Sequence, residues 1–309
     1  MYPKFWNSKS IISTLLLPLT HIYVWFSERR KRLANPIHFG IKTICVGNIT
    51  VGGTGKTQFV MWLVQRLKNI KTVIVSKGYK SNFIDPQIVG KYDSPELVGD
   101  EPKLMSKITD VIVAKNPADA SDLVAQINPD LVILDDFMQN PYVTKDFNIL
   151  IIDADRNFGN NRLLPAGPLR QTFESAKNQI GLIIAIGSSP QRPNNLLDGA
   201  FYAQITSESE LDTNKKYLAF AGVGNPERFF SCISHLNIVR KVTYSDHHNY
   251  LSQELYSLQK AADKLGATLL TTPKDAVKLV NKLKFEVFEP KLQFENPTDE
   301  EKILSILSQ

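Results

Sequence analysis

The segment Val46-Gly47-Asn48-Ile49-Thr50-Val51-Gly52-Gly53-Thr54-Gly55-Lys56-Thr57 combines closely spaced glycines with a terminal Lys-Thr pair. An apolar run precedes it and a helical pattern follows, the setting in which such a loop binds phosphate. Glycines let the backbone wrap an anion closely, and amides at a helix N-terminus add partial positive charge. In that geometry Thr50, Val51, Gly52, Gly53, Thr54, Gly55, Lys56 and Thr57 line the phosphates of a nucleoside triphosphate. Lys56 meets the β- and γ-phosphates, and Thr57 offers its hydroxyl to Mg²⁺. Thr50 stands where the strict pattern has glycine, which makes this a variant loop.

A second apolar run, Leu131–Leu134, ends in Asp135 and Asp136. Acids at the end of a buried strand downstream of a phosphate loop supply a Mg²⁺ contact. The candidate Mg²⁺ ligands are therefore Thr57, Asp135 and Asp136, with Glu101 beside them. The segment Gly99-Asp100-Glu101-Pro102 admits two readings. Asp100 caps a helix whose first turn holds Pro102, or it is a base for a substrate hydroxyl. The segment Gly159–Arg170 holds two prolines and two glycines; it forms a stiff loop that presents Arg170 to phosphate charge or to solvent. Asp246-His247-His248 lacks a third metal ligand, whereas a histidine beside an acid suits proton transfer. Cys45 and Cys232 match no metal spacing and read as buried thiols of a reducing compartment.

These residues need a scaffold, and the apolar pattern supplies one. Ile41–Val46, Thr72–Ser76, Val111–Ala114, Leu131–Leu134, Phe147–Ile152 and Ile180–Ile186 read as buried strands, with helices such as Gln58–Lys68 and Pro117–Ile127 between them. The alternation predicts an α/β fold of P-loop NTPase type: a mostly parallel sheet with helices on both faces. Residues 188–200 read as a loop and the polar residues 207–216 as a linker. Beyond it Tyr217–Ala221 and Ala267–Leu270 are strands, Thr272 is a helix cap and Pro273 opens a helix. The expected organisation is an N-terminal membrane-associating segment (1–40), a nucleotide-binding domain (41–206), the linker, and a smaller C-terminal α/β domain (217–309) that closes a substrate cleft.

The formal net charge of +5 resides in residues 1–40, where Lys4, Lys9, Arg29, Arg30, Lys31 and Arg32 face Glu28 alone. A nucleic-acid binder spreads its basic residues over a folded face; here they flank an apolar stretch, Ile11–Phe26. Its sixteen residues fall short of the ~20 that span a bilayer, and the cleavage pattern of a signal peptide is missing. Two readings stand: a helix lying in an anionic membrane surface, or a core helix of the folded domain.

Taken together these segments resemble the tetraacyldisaccharide 4'-kinase (lipid A 4'-kinase) family. The likeness runs from the N-terminal segment through Gly47–Thr57, Ser76-Lys77-Gly78-Tyr79, Val98–Pro102, Leu163–Arg170, Gly222-Val223-Gly224-Asn225-Pro226 and Asp246-His247 to Thr271–Val277. It implies ATP- and Mg²⁺-dependent phosphorylation of the 4'-hydroxyl of a tetraacyl glucosamine disaccharide 1-phosphate, at the cytoplasmic face of a Gram-negative inner membrane. It also implies that Asp100 and His247 act together as base. Lys56 and Arg170 are the further catalytic candidates, and Tyr79, Asn48 and Gln139 lie toward the substrate. Four residues depart from the family's usual pattern: Lys77, Phe137, Asn140 and Gln171.

A partitioning or chaperone-type ATPase switch is the main rival, since Val51–Thr57 resembles its variant P-loop. That loop normally has Lys where Val51 stands, which counts against it. A non-enzymatic membrane adaptor has no use for Asp100, Asp135 and Asp136. Nothing in the sequence requires nucleic acid or an obligate protein partner.

Overall fold

The computed structural model describes residues 3–189, 192–193, 196–207, 211–279 and 282–308. In chain order the first elements are α1 (Ile11–Leu15), α2 (Leu17–Leu33), β1 (Lys42–Gly47), α3 (Lys56–Arg66), β2 (Thr72–Ser76), β3 (Gln87–Ile88), α4 (Pro95–Val98), α5 (Asp100–Met105), β4 (Asp110–Val113), α6 (Ser121–Ile127) and β5 (Leu131–Asp135). There follow β6 (Phe147–Asp153), α7 (Phe173–Ala176), β7 (Leu182–Gly187), β8 (Phe201–Ser207), β9 (Lys216–Ala221), α8 (Pro226–Cys232) and β10 (Asn237–Thr243). The last are α9 (Ser252–Leu265), β11 (Thr268–Thr271), α10 (Pro273–Leu279), β12 (Glu286–Val287), β13 (Pro290–Phe294) and α11 (Asp299–Ser308).

Among the described residues the larger sheet has nine strands in the order β13-β8-β7-β6-β1-β5-β2-β4-β3. All of its pairings are parallel except those of β13 with β8 and of β3 with β4, at its two edges. Runs of Val, Ile and Leu have no polar face and need cover on both sides of a sheet. The side-chain period of two delivers it: Ile44 and Val46 of β1 pack with Phe59 and Leu63 of α3, while Cys45 packs on the other face with Val124 of α6. The crossover order places the ends of β1, β5 and β6 side by side, where parallel α/β sheets bind ligands. The smaller sheet, β10-β9-β11-β12, is parallel throughout.

The expected extent of the C-terminal unit, 217–309, needs correction. Residues 290–294 add an antiparallel strand to the larger sheet, and Ile303 and Leu307 of α11 join the core that covers α3. The reason is visible in the strand: Leu292 and Phe294 are buried while Lys291 and Gln293 are exposed, an alternation that suits an edge strand. Of the loop and linker expected at 188–200 and 207–216, residues 190–191, 194–195 and 208–210 lie outside the described residues.

The core-helix reading of the N-terminal segment is overturned. Ile11, Ile12, Leu15, Ile22, Trp25 and Phe26 are each more than half exposed, whereas Ser13 and Thr20 are buried. These helices turn small polar groups inward and large apolar ones outward. No helix among the described residues is long and apolar enough to cross a membrane.

The return of the chain to the larger sheet has a measurable consequence. The Phe294 ring lies 5.0 Å from that of Trp62 on α3 and is 8% exposed. Phe294→Ala is expected to cost about 3–5 kcal/mol of stability, as truncation of a buried aromatic does. Denaturant unfolding of the whole chain measures it, and a cost below about 1 kcal/mol would remove β13 from the core.

Candidate active site

The glycine-rich loop leaves the end of β1 and enters α3. Its backbone turns left-handed at Gly52 and Gly55, with φ of 119° and 94°, where a side chain is strained. Thr50 does not need that freedom. It bridges Leu169 in extended form, flanked by Val51 N donating to Pro168 O at 2.9 Å and Arg170 N donating to Ile49 O at 2.7 Å. The stiff loop predicted from its prolines is thus fastened to the phosphate loop, and it delivers Arg170 there. The Arg170 guanidinium reaches both oxygens of Asp136 at 3.0 and 3.1 Å, and Lys56 Nζ lies 3.3 Å from the same carboxylate. Asp136 itself sits in the left-handed region with φ of 63°.

Asp135, at the end of β5, is buried. Its Oδ2 accepts from Ser76 Oγ at 2.9 Å, while Oδ1 is buried with no partner among the described residues. Burial first, then the negative charges of Glu101 and Asp136, pushes its carboxyl up to about 7. Asp136 and Glu101 have cations in reach, Asp136 from Lys56 and Arg170 and Glu101 from Lys274. Burial alone would raise the Glu101 carboxyl, but Lys274, with help from Lys56, holds it at about 2. The four expected Mg²⁺ ligands therefore differ: Asp135 has the unmet oxygen, and Thr57 lies in the first turn of α3 beside the loop. These two residues fit a divalent cation by their chemistry, since the ion would satisfy Oδ1 and offset the charge that raises the carboxyl. Among the described residues no group of three or more His, Cys, Asp or Glu surrounds a cation site; the fit is to an ion shared with nucleotide phosphates, as Mg²⁺ commonly is.

The two readings of Asp100 separate here. Gly99, not Asp100, is the cap of α5, and no side-chain cap bond forms. The Asp100 Oδ2 atom instead lies 3.0 Å from His247 Nδ1 and 3.1 Å from Lys278 Nζ. Burial opposes the ionised form, but the contacts with His247 and Lys278 outweigh it and hold the carboxyl below its usual range. His247 belongs to the smaller sheet's unit and has φ of 57°, with its N donating to Gly222 O at 3.0 Å. Gly222 N in turn donates at 3.0 Å to fully buried Asp275, which also accepts from Thr272 Oγ1 and Tyr250 OH. His247 Nε2 is 3.7 Å from Asp246 Oδ1, beyond hydrogen-bonding range. His248 points elsewhere: its Nε2 meets Glu254 at 2.9 Å and its ring stacks on Tyr244.

The remaining candidates divide. Tyr79 is exposed, with its ring edge-on to His247 at 5.4 Å between centroids. Asn48 is fully buried, and its Nδ2 donates to Thr54 Oγ1 at 3.3 Å. Gln139 Nε2 donates to Asn48 O at 2.8 Å. Asn48 and Gln139, expected toward the substrate, brace the phosphate loop in this structure. Over that loop lies Gly224: a Cβ there would come within 3.6 Å of Gly53 N. Between the two units a cleft is floored by Gly52–Gln58 and walled by Ile205, Val223, Phe229, Cys232 and Phe288.

Residues 12–308 match the model of the LpxK family, described as tetraacyldisaccharide-1-P 4'-kinase. The chain belongs to this family. The LpxK-family relatives named tetraacyldisaccharide 4'-kinase in Rickettsia typhi and Rickettsia felis are each 44% identical to it over 286 residues, covering 90% of this chain and 89% and 88% of theirs. Among solved structures, the "apo" form of LpxK from Aquifex aeolicus in complex with ATP superposes with a TM-score of 0.77 at 26% identity, covering 96% of this chain and 99% of that one. Of the four residues that depart from the usual LpxK pattern, Phe137 is packed in the core and Asn140 Oδ1 accepts from Tyr142 N at 2.9 Å. Lys77 is exposed and Gln171 half-buried.

Sequence reasoning quoted Ser76 and Lys274 within the family-like segments without giving them a role, and it missed Lys278 and the cluster around Arg228, whose guanidinium pairs with Asp153 and Asp155 and donates to Ile186 O at 3.2 Å. Two signals were available. Asp153 ends a buried strand just as Asp135 does, and Lys274 and Lys278 stand four apart on one helix face behind the Thr272-Pro273 start.

The raised Asp135 carboxyl links stability to pH. The folded chain keeps a proton that the unfolded chain releases near pH ~4. The stability from this group is complete below that point and is lost as pH climbs to the folded value of about 7. Asp135→Asn is expected to shrink the difference in unfolding midpoint between about pH 5 and about pH 8 in metal-free protein. An undiminished difference would mean that Asp135 does not titrate in this range.

Proposed function

We propose that this chain transfers the γ-phosphate of ATP to the 4'-hydroxyl of a tetraacyl glucosamine disaccharide 1-phosphate. The observation that carries the proposal is the His247–Asp100 contact, which joins an imidazole from one unit to a carboxylate of the other; His247 is read as the proton acceptor. Ionised Asp100 fixes the proton of His247 on Nδ1 and leaves Nε2 to accept one. The sugar hydroxyl loses its proton to Nε2 as its oxygen bonds to the γ-phosphorus, and the bond from that phosphorus to the β–γ bridging oxygen breaks, releasing ADP. Lys56 and Arg170 turn from Asp136 toward the phosphoryl oxygens, where fixed cations stabilise charge that develops in transfer. Bound Mg²⁺, held by Thr57 and Asp135, would add charge neutralisation on the phosphates. The apolar wall of Ile205, Val223, Phe229 and Phe288 suits the nucleotide base, and Tyr79 beside His247 suits the sugar.

Phosphate transfer from labelled ATP to the purified glycolipid tests this reading. Lys56→Ala is expected to lower kcat by at least ~100-fold. Asp100→Asn and His247→Ala should each lower kcat by roughly 10²–10⁴-fold with ATP affinity near the parent's. The double variant should be little worse than the worse single one, because residues that act as a unit are not additive. Additive losses would separate the pair, and ADP release indifferent to the acceptor would favour an ATPase switch.

The membrane is the proposed source of the substrate. The outward residues Ile11, Ile12, Leu15, Ile22, Trp25 and Phe26 form an apolar stripe, and exposed Arg29–Arg32 lie at its end. Burial of each large apolar side chain is worth about 1.5–3 kcal/mol at most, and each basic residue adds ~1 kcal/mol near an anionic surface. The chain would thus sit on the cytoplasmic face of an inner membrane, peripheral or monotopic. Flotation with anionic liposomes is expected to carry the parent and to lose a variant with Ile22, Trp25 and Phe26 changed to Ser. Equal flotation of the two would remove the stripe from membrane binding.

A further inference from the structure

The protein-facing side of α2 and its exposed margin reach the phosphate site along two lines of hydrogen bonds. On the first, Tyr23 OH donates to Arg170 O at 2.9 Å, and the same residue's guanidinium holds Asp136. On the second, Arg30 Nη2 donates to Gln139 O at 2.8 Å. Gln139 Nε2 then donates to Asn48 O at 2.8 Å, and Asn48 Nδ2 to Thr54 Oγ1 at 3.3 Å within the phosphate loop.

The segment that ends in Arg170 has no helix or strand of its own between β6 and α7. Its carbonyls find donors in the N-terminal segment: Trp6 Nε1 donates to Pro165 O at 3.1 Å, and Thr20 Oγ1 to Leu163 O at 3.4 Å. Tyr23 closes this series at the residue whose side chain enters the site. Its hydroxyl remains a neutral donor, because burial raises its pKa against the lowering pull of Arg170 and Arg30. A cation that stabilises transferring phosphate works only if held to within a fraction of an ångström. An irregular loop does not supply that rigidity alone.

We propose that Tyr23 and Arg30 are positioning residues for phosphoryl transfer: α2, whose outer face is apolar, clamps Arg170 with its inner face and Gln139 from the exposed margin of that face, and makes the surface-docking helix and the phosphate site one unit. The inference rests on the kinase reading above. It gives α2 a role beyond anchoring, since lipid contact and phosphate alignment then share one helix.

The test uses the full-length protein and glycolipid dispersed in detergent micelles, where docking on a bilayer does not limit the rate. Tyr23→Phe keeps the apolar ring and removes only the donor. It is expected to lower kcat about tenfold, the scale of one lost hydrogen bond, with KM for ATP and flotation on anionic liposomes as in the parent. Arg30→Gln, at an exposed position that does not endanger folding, is expected to lower kcat several-fold by the second line. In a double-mutant cycle, Tyr23→Phe should add nothing once Arg170 is alanine, which a general loss of stability would not produce. Parental kcat in both variants, or a Tyr23→Phe loss that multiplies in full with Arg170→Ala, would overturn the proposal. So would a loss seen only with bilayer-presented substrate, which marks a simple anchor. Activity retained by Lys56→Ala and Arg170→Ala would sink the kinase reading itself. Inactivity of those two with parental kcat in Tyr23→Phe and Arg30→Gln would sink only this inference.

Discussion

Asp100 and Glu101 are neighbours on one short helix of the larger sheet's unit, and both end on cations or a ring nitrogen from the smaller sheet's unit. His247 and Lys278 meet the first, and Lys274 the second. Charges taken out of water are costly, and removing one partner of a buried pair costs about 3–5 kcal/mol because the other is stranded. Such contacts therefore fix an arrangement more than they stabilise it. Arg228 does the same work at another point of the junction, joining α8 to the ends of β6 and β7. The cleft lies beside both sets of contacts. Its geometry follows from pairings that lose their compensation if the two units separate.

At or just past the ends of the parallel strands β5 and β6 stands a row of acids: Asp135, Asp136 and Asp153. Two of the three are neutralised, Asp136 by Lys56 and Arg170 and Asp153 by Arg228. The cations on Asp136 are the ones that the proposed reaction needs on phosphate. Held there, they keep their positions with no nucleotide bound, and phosphate binding becomes an exchange of one anion for another. Preorganisation of this kind lowers the reorganisation required during transfer. Asp135 is the acid left over, and its unmet oxygen is what makes a cation on the phosphate side chemically reasonable.

Much of this was legible in the sequence, and the reasons are local. The phosphate loop and the strands around it announce themselves through glycine spacing and unbroken runs of Val, Ile and Leu, because a strand covered on both faces has no polar side to disguise it. What depended on tertiary meeting was not legible from pattern alone. Asp100 and His247 are separated by 147 positions, and only the family resemblance joined them; local chemistry left Asp100 equally a cap. The return of Pro290–Phe294 to the first sheet was hidden because five alternating residues also suit a strand of the second. The bonds of Asn48 and Gln139 at the phosphate loop were not legible for a related reason. A glycine-rich loop has few side chains with which to hold itself and takes its support from neighbours.

The N-terminal helices reverse the usual rule of amphipathic packing, and the reversal has a physical basis. A helix on a water-soluble body turns its apolar stripe inward, since burial is what holds it. In α2 the inward positions Thr20 and Tyr23, and exposed Arg30 at the margin of that face, instead bond to backbone carbonyls of loops. Loop carbonyls without ladder partners need donors, and a polar helix face supplies them where an apolar one would leave them unpaired. The cost is that Ile22, Trp25 and Phe26 face outward, which is unfavourable in water and favourable against lipid. On the proposed reading the two halves of this pattern serve one purpose. A helix that met lipid with one face and packed apolar groups on the protein with the other would need a sequence apolar all round. Such a sequence says nothing about which side docks. Dividing the faces by chemistry fixes the rotation of the helix about its axis, and with it the depth at which Arg170 and the phosphate loop stand relative to the lipid surface.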